Sequence, residues 1–115
     1  MTTQKTVIIA DDSAFVRDRF ANAVLAAGHR AIPVRTAVEL LARIRAHLKE
    51  LDLLLIDLRL PNGGGVDLVR SVRRLDEGKL PILIFSGTVA NADEVRTLAS
   101  LGVAGYVNEY SAVQH

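Results

Sequence analysis

The chain contains no cysteine, so a disulfide framework, a thiolate zinc site and a cysteine nucleophile are all excluded. It also lacks an excess of either charge. Fourteen Lys and Arg face thirteen Asp and Glu, which offers no global footprint for nucleic acid or for an anionic membrane surface. Long apolar runs are missing too: none approaches the roughly 20 residues that span a bilayer, and the N-terminus carries no apolar signal-peptide core. A soluble, cytoplasmic protein is expected, with no direct nucleic-acid or membrane partner. No repeat, low-complexity segment or linker divides the sequence. What is present is 115 residues, half of them apolar, enough for one domain over 1–115 with a single core.

Short apolar runs alternate with amphipathic stretches. Val7 to Ala10, Ala31 to Val34, Leu53 to Ile56, Pro81 to Phe85 and Ala104 to Val107 read as strands. Helical patterns lie between them at Ala14 to Ala27, Ala37 to Leu48, Val66 to Arg74 and Ala92 to Leu101. This strand and helix alternation predicts an α/β fold with a parallel sheet. Gly28 and Gly102 stand where helix C-caps belong, Thr36 with Glu39 has capping-box spacing, and Asn91 reads as a further N-cap. Leu53 to Ile56 is apolar without alternation, as a strand covered on both faces should be, while Ala31 to Val34 is short, flanked by His29, Arg30 and Arg35, and expected at an edge. Ser111 reads as an N-cap for a final helix that Ala112 to His115 only begins, so a truncated C-terminal helix is expected.

In an open doubly wound sheet, ligands bind beyond the carboxyl ends of the strands, where the strand order reverses. Asp11 and Asp12 follow the first strand and Asp57 follows the third. In a 2-1-3-4-5 order all three carboxylates meet at that crevice. Each Asp taken alone reads as a helix cap or turn residue. Three together repel, by about 4 kcal/mol per pair at 4 Å and an effective dielectric near 20, and call for a cation or raised pKa values. Magnesium suits such a site, because it takes oxygen ligands and needs only one or two carboxylates.

Asp11, Asp12 and Ser13 after one apolar strand, with Asp57, Leu60, Pro61 and Gly65 after another, resemble the response-regulator receiver family of two-component signalling. Ser86 after the fourth strand and Tyr106 in the fifth extend the resemblance over essentially the whole chain. It implies a flavodoxin-like, five-stranded doubly wound sheet of order 2-1-3-4-5. It also implies Asp57 as phosphoacceptor, its carboxylate taking the phosphoryl group from a histidine kinase or phosphotransfer protein. By the same resemblance Asp12 is a direct Mg2+ ligand, Asp11 acts mainly through water, and the backbone carbonyl of Arg59 completes the protein's share. Ser86 is the hydroxyl that bonds the phosphoryl oxygen, and Tyr106 the aromatic that turns inward behind it. Outside the resemblance, Ser86 reads as a turn hydroxyl and Tyr106 as an amphipathic edge residue.

The sequence departs from the family at one functional position. Receivers carry a lysine three residues after the strand-five aromatic, usually followed by proline. Here Glu109 and Tyr110 stand there, and the last lysine of the chain is Lys79. Glu109 reads equally as a solvated loop residue or as a further acidic group toward a cation. Arg59, two residues past Asp57, is the candidate compensating charge, since a guanidinium grips phosphate oxygens with paired donors; otherwise it is a surface arginine. The family's acidic residue before Gly65 is absent as well, leaving Gly63, Gly64 and Gly65 as a permissive loop. His29, His47 and His115 show no metal-ligand spacing and are expected at exposed positions.

Three functions compete at this point. A phosphorylation switch uses Asp57 and changes the surface around Ser86 and Tyr106 toward a downstream protein, or toward a second copy in a homodimer. A pseudo-receiver, suggested by Glu109, binds partners without phosphorylation. A magnesium-dependent phosphohydrolase also places aspartates after a parallel strand. It ranks last because Arg59 stands where such an enzyme has a general acid, so a signalling domain rather than an enzyme is expected.

Overall fold

The computed structural model describes residues 3–87 and 90–108. In chain order the elements are β1 (Thr6–Ala10), α1 (Ala14–Ala26), β2 (Arg30–Val34), α2 (Ala37–His47), a single 3-10 turn (Leu48–Glu50), β3 (Leu53–Asp57), α3 (Val66–Asp76), β4 (Ile82–Ser86), α4 (Ala92–Ser100) and β5 (Gly105–Asn108). The strands form one sheet in the order β2-β1-β3-β4-β5, with every neighbouring pair parallel. The expected doubly wound architecture is therefore present. Ser111 and the expected final helix lie outside the described residues, as do Glu109, Tyr110 and His115.

Alternation along the strands divides the core in two. Ile8, Ala10, Leu54, Ile56, Ile82 and Ile84 face the side covered by α2, α3 and α4, where they meet Leu40, Ile44, Leu68, Val69, Val72 and Leu98. Val7, Ile9, Leu55 and Phe85 face the other side, against Val16, Phe20 and Val24 of α1. Burial on both faces explains why Leu53 to Ile56 is unbroken in sequence. β2 lies at the sheet edge as expected, and there Pro33 is tolerated although it has no N–H to donate.

Caps fix the helix starts. The Ser13 and Thr36 hydroxyls accept the Val16 and Glu39 N–H groups at 3.4 and 3.1 Å. Asn91 and Glu94 form a complete capping box at the start of α4. Gly28 and Gly102 sit just past α1 and α4 with φ of +88° and +74°, where a side chain would be strained.

The third helix runs two residues past the expected Arg74, to Asp76, because a buried polar knot holds its end. The Asp76 carboxylate accepts the Gly78 and Leu80 N–H groups, each at 2.8 Å, and pairs with Arg73 at 2.7 Å. Arg73 also donates to the carbonyls of Leu80, Leu101 and Gly102 at 2.7–2.9 Å, so one guanidinium ties α3 to the start of β4 and the turn before β5. Removing one partner of a buried pair strands the other. Arg73→Ala is predicted to lower unfolding stability by about 3 kcal/mol in urea titrations, with Arg73→Lys in between.

Candidate functional site

β1 and β3 are adjacent, and in register Ala10 pairs with Ile56, so the residues that follow, Asp11 and Asp57, leave the sheet side by side. One carboxylate oxygen from each of Asp11, Asp12 and Asp57 lies within 4.8 Å of the others. An octahedral magnesium ion with ligands at about 2.1 Å needs oxygens about 3 to 4.2 Å apart, so small side-chain adjustments would suffice. Asp11 and Asp57 are buried, whereas Asp12 is exposed and leaves the cluster open to solvent.

Backbone donors orient the two buried acids. Ser13 N–H donates to Asp11 Oδ1 at 2.7 Å, and Arg59 N–H donates to Asp57 Oδ1 at 2.9 Å. The Arg17 guanidinium secures the Asp11 carbonyl at 2.8 Å. Burial pushes the Asp11 carboxyl up from 3.8 to about 6; the Ser13 bond opposes the rise, and the charges of Asp57 and Asp12 add to it. The burial and like charge that raise Asp11 mark this crowded cluster as a candidate site, and a bound cation would relieve it. The donor set, all hard oxygen, fits magnesium.

Ser86 closes β4 and is fully buried, one residue beyond Phe85, which pairs with Asp57. Tyr106 on β5 is half-buried against the larger core cluster, and its hydroxyl accepts the Ala90 N–H at 3.1 Å. The Arg59 side chain, the candidate compensating charge, reaches toward α4. Its guanidinium is forked onto Glu94 of α4, with Nη1 to Oε2 at 2.7 Å and Nη2 to Oε1 at 3.0 Å. Glu94 was not legible as a site residue: the partners are 35 positions apart, and the only local signal, the spacing from Asn91, reads as a cap.

Two further expectations need correction. Gly64 is not merely permissive, because a Cβ there would fall 2.2 Å from the Leu60 carbonyl oxygen. The close turn after Asp57 therefore requires glycine where the family has an acid. His29 and His47 are half-buried rather than exposed. His29 Nδ1 accepts the Lys5 N–H, and His47 lies 3.0 Å from the Glu50 carboxylate.

Comparison with known proteins agrees with this geometry. The family model for the response regulator receiver domain matches residues 7–111. The chain belongs to that family. Receiver domains of two-component systems are signalling modules. Curated relatives include the virulence transcriptional regulatory protein PhoP of Shigella flexneri, 31% identical over 103 residues, covering 90% of this chain and 44% of that one. The chain thus spans under half the length of that relative. The polar-differentiation response regulator DivK of Brucella anthropi is 26% identical, covering 91% of this chain and 84% of its own. Among solved structures, a response regulator receiver protein from Pseudomonas putida superposes with a TM-score of 0.81 at 26% identity, over 95% of this chain and 88% of that one. The CheX-CheY-BeF3-Mg+2 complex of Borrelia burgdorferi matches at 0.82 and 16%, over 96% and 84%, and shares the fold. Among the described residues, no helix is long and apolar enough to cross a membrane.

The raised Asp11 pKa sets a pH dependence. The folded chain binds a proton there that the unfolded chain has lost, so the stability Asp11 contributes is complete below 3.8 and fades as pH rises through about 6. Without divalent cations, Asp11→Asn is predicted to stabilise the fold at pH 7. The gain should be on the order of 1–2 kcal/mol, below the full conversion at about 1.36 kcal/mol per pKa unit because Asp12 admits water. Denaturant titrations of both proteins from pH 4 to 7 would show the difference growing with pH.

Proposed function

We propose that this receiver domain is a magnesium-dependent phosphoacceptor switch. The observation that carries the reading is the meeting of Asp11, Asp12 and Asp57 at the carboxyl ends of adjacent strands. An Asp57 carboxylate oxygen attacks phosphorus on the phosphohistidine of a kinase or phosphotransfer protein. The O–P bond forms, the N–P bond breaks, and the departing imidazole takes up a proton. Asp11, Asp12, Asp57 and the Arg59 carbonyl would hold Mg2+, which when bound offsets the charge gathered around the transferred group. The Arg59 N–H bond fixes one Asp57 oxygen and so orients the carboxylate for attack.

Ser86 would bond a phosphoryl oxygen, and Tyr106 would turn inward and give up its bond from Ala90. The surface changed in this way would be read by a downstream protein or a second copy of the chain. A pseudo-receiver that binds partners without phosphorylation is the competing reading. Two features favour it: Glu109 stands at the lysine position, and the Arg59 guanidinium is already paired with Glu94. Partner binding that survives Asp57→Asn would support it.

The Borrelia neighbour is described as a complex with BeF3 and Mg2+, and the same probe applies here. Beryllofluoride with magnesium is predicted to raise the thermal midpoint, with about 2.7 kcal/mol of stabilisation when the probe is 100-fold above its Kd. The shift should need magnesium and vanish in Asp57→Asn. No shift in the wild type would contradict the switch.

A further inference from the structure

Among the described residues, two polar contacts reach the start of α4 and Ala90 just before it. Arg59, two residues after Asp57, forks onto Glu94, and Tyr106 on β5 receives the Ala90 N–H. Within the helix Leu98 is the one buried residue, and Ala90 just before it also belongs to the core. Arg59 and Tyr106 thus contribute, with these core residues, to where this segment lies.

The Arg59 fork is built to be exchanged. Its backbone N–H already touches the Asp57 carboxylate, so its side chain starts beside the acceptor and is long enough to reach a group placed there. Guanidinium donors grip a phosphoryl group by the same paired geometry they use on a carboxylate. Glu94 loses little when Arg59 leaves: its Oε1 also accepts the Asn91 N–H at 3.0 Å, and it lies in the first turn of α4, where the helix dipole favours a negative charge. The Arg59 side chain is 41% exposed, which keeps the pair weak enough for a second anion to compete.

We propose that Glu94 is a positioning residue that holds the Arg59 guanidinium at the rim of the pocket, and that a phosphoryl group on Asp57 takes this guanidinium over and releases the start of α4. The proposal rests on the phosphoacceptor reading and adds its regulation: a charge supplied by a residue of the β3–α3 loop, gated by a residue of α4.

The test is a double-mutant cycle read by the calorimetric Kd for beryllofluoride at saturating magnesium. Glu94→Gln keeps the helix cap, since glutamine serves at that position, but removes the charge that holds Arg59. It should tighten binding about two- to five-fold, the worth of a partly exposed ion pair. Arg59→Gln should weaken binding by about three- to ten-fold. In the Arg59→Gln background, Glu94→Gln should have no effect, with equal thermal midpoints confirming intact folds. An equal gain from Glu94→Gln in both backgrounds would mean general charge removal and overturn the proposed Arg59–Glu94 latch alone. So would an Arg59→Gln affinity equal to the wild type. Failure of the wild type to bind beryllofluoride would overturn the phosphoacceptor reading and the latch with it.

Discussion

The crowding of Asp11, Asp12 and Asp57, two of them buried, is the constraint on which the other features of this domain bear. The parallel pairing of β1 with β3 delivers Asp11 and Asp57 to the same end of the sheet, and the two faces of that sheet are packed tightly enough to hold them there. Burial then drives the Asp11 carboxyl up to about 6, with its neighbours' charges adding to the effect. Such a cluster is poorly balanced alone and well balanced with a divalent cation. The same crowding makes the site sensitive to any further charge. A phosphoryl group, a guanidinium or a metal ion changes its energy by amounts comparable to the net stability of a small domain.

Local donors keep the cluster from spreading. Ser13 serves two purposes: its N–H holds Asp11 and its hydroxyl caps α1. The Arg59 N–H holds Asp57, while the Leu58 N–H bonds the Phe85 carbonyl and the Gly65 N–H returns to the Leu58 carbonyl. The chain after β3 is thus bound both to its own neighbours and to the end of β4. The turn is so close that Gly64 has no space for a side chain. What looks in sequence like a loop of interchangeable glycines is a steric requirement of the path leaving Asp57.

Most of the fold was legible because its signals are local. Leu53 to Ile56 could only be a strand covered on both faces, and the caps at Thr36 and Asn91 announce their helices. Strand ends were less clear, since Asp57 and Ser86 belong to β3 and β4 yet are polar and were read as following them. The end of α3 was missed because Asp76 looks like a surface acid, and its burial depends on Arg73 and on N–H groups beyond the helix. The acidic cluster was visible as residue types at strand ends. The Arg59–Glu94 fork was not, since it depends on how α4 lies against the β3–α3 loop, which no short pattern encodes. Glu109, which stands where receivers carry a lysine, lies outside the described residues; within them, the Arg59 guanidinium beside Asp57 is paired with Glu94.

The central claim is that Asp57 accepts a phosphoryl group in a magnesium-dependent reaction. The most direct measurement is intact-mass spectrometry after incubation with acetyl phosphate, with and without magnesium, followed by borohydride trapping and peptide mapping. The account predicts a single phosphoryl adduct, formed only with magnesium and mapped to Asp57. A chain that stays unmodified with magnesium present, or one modified equally when Asp57 is replaced by Asn, would contradict it.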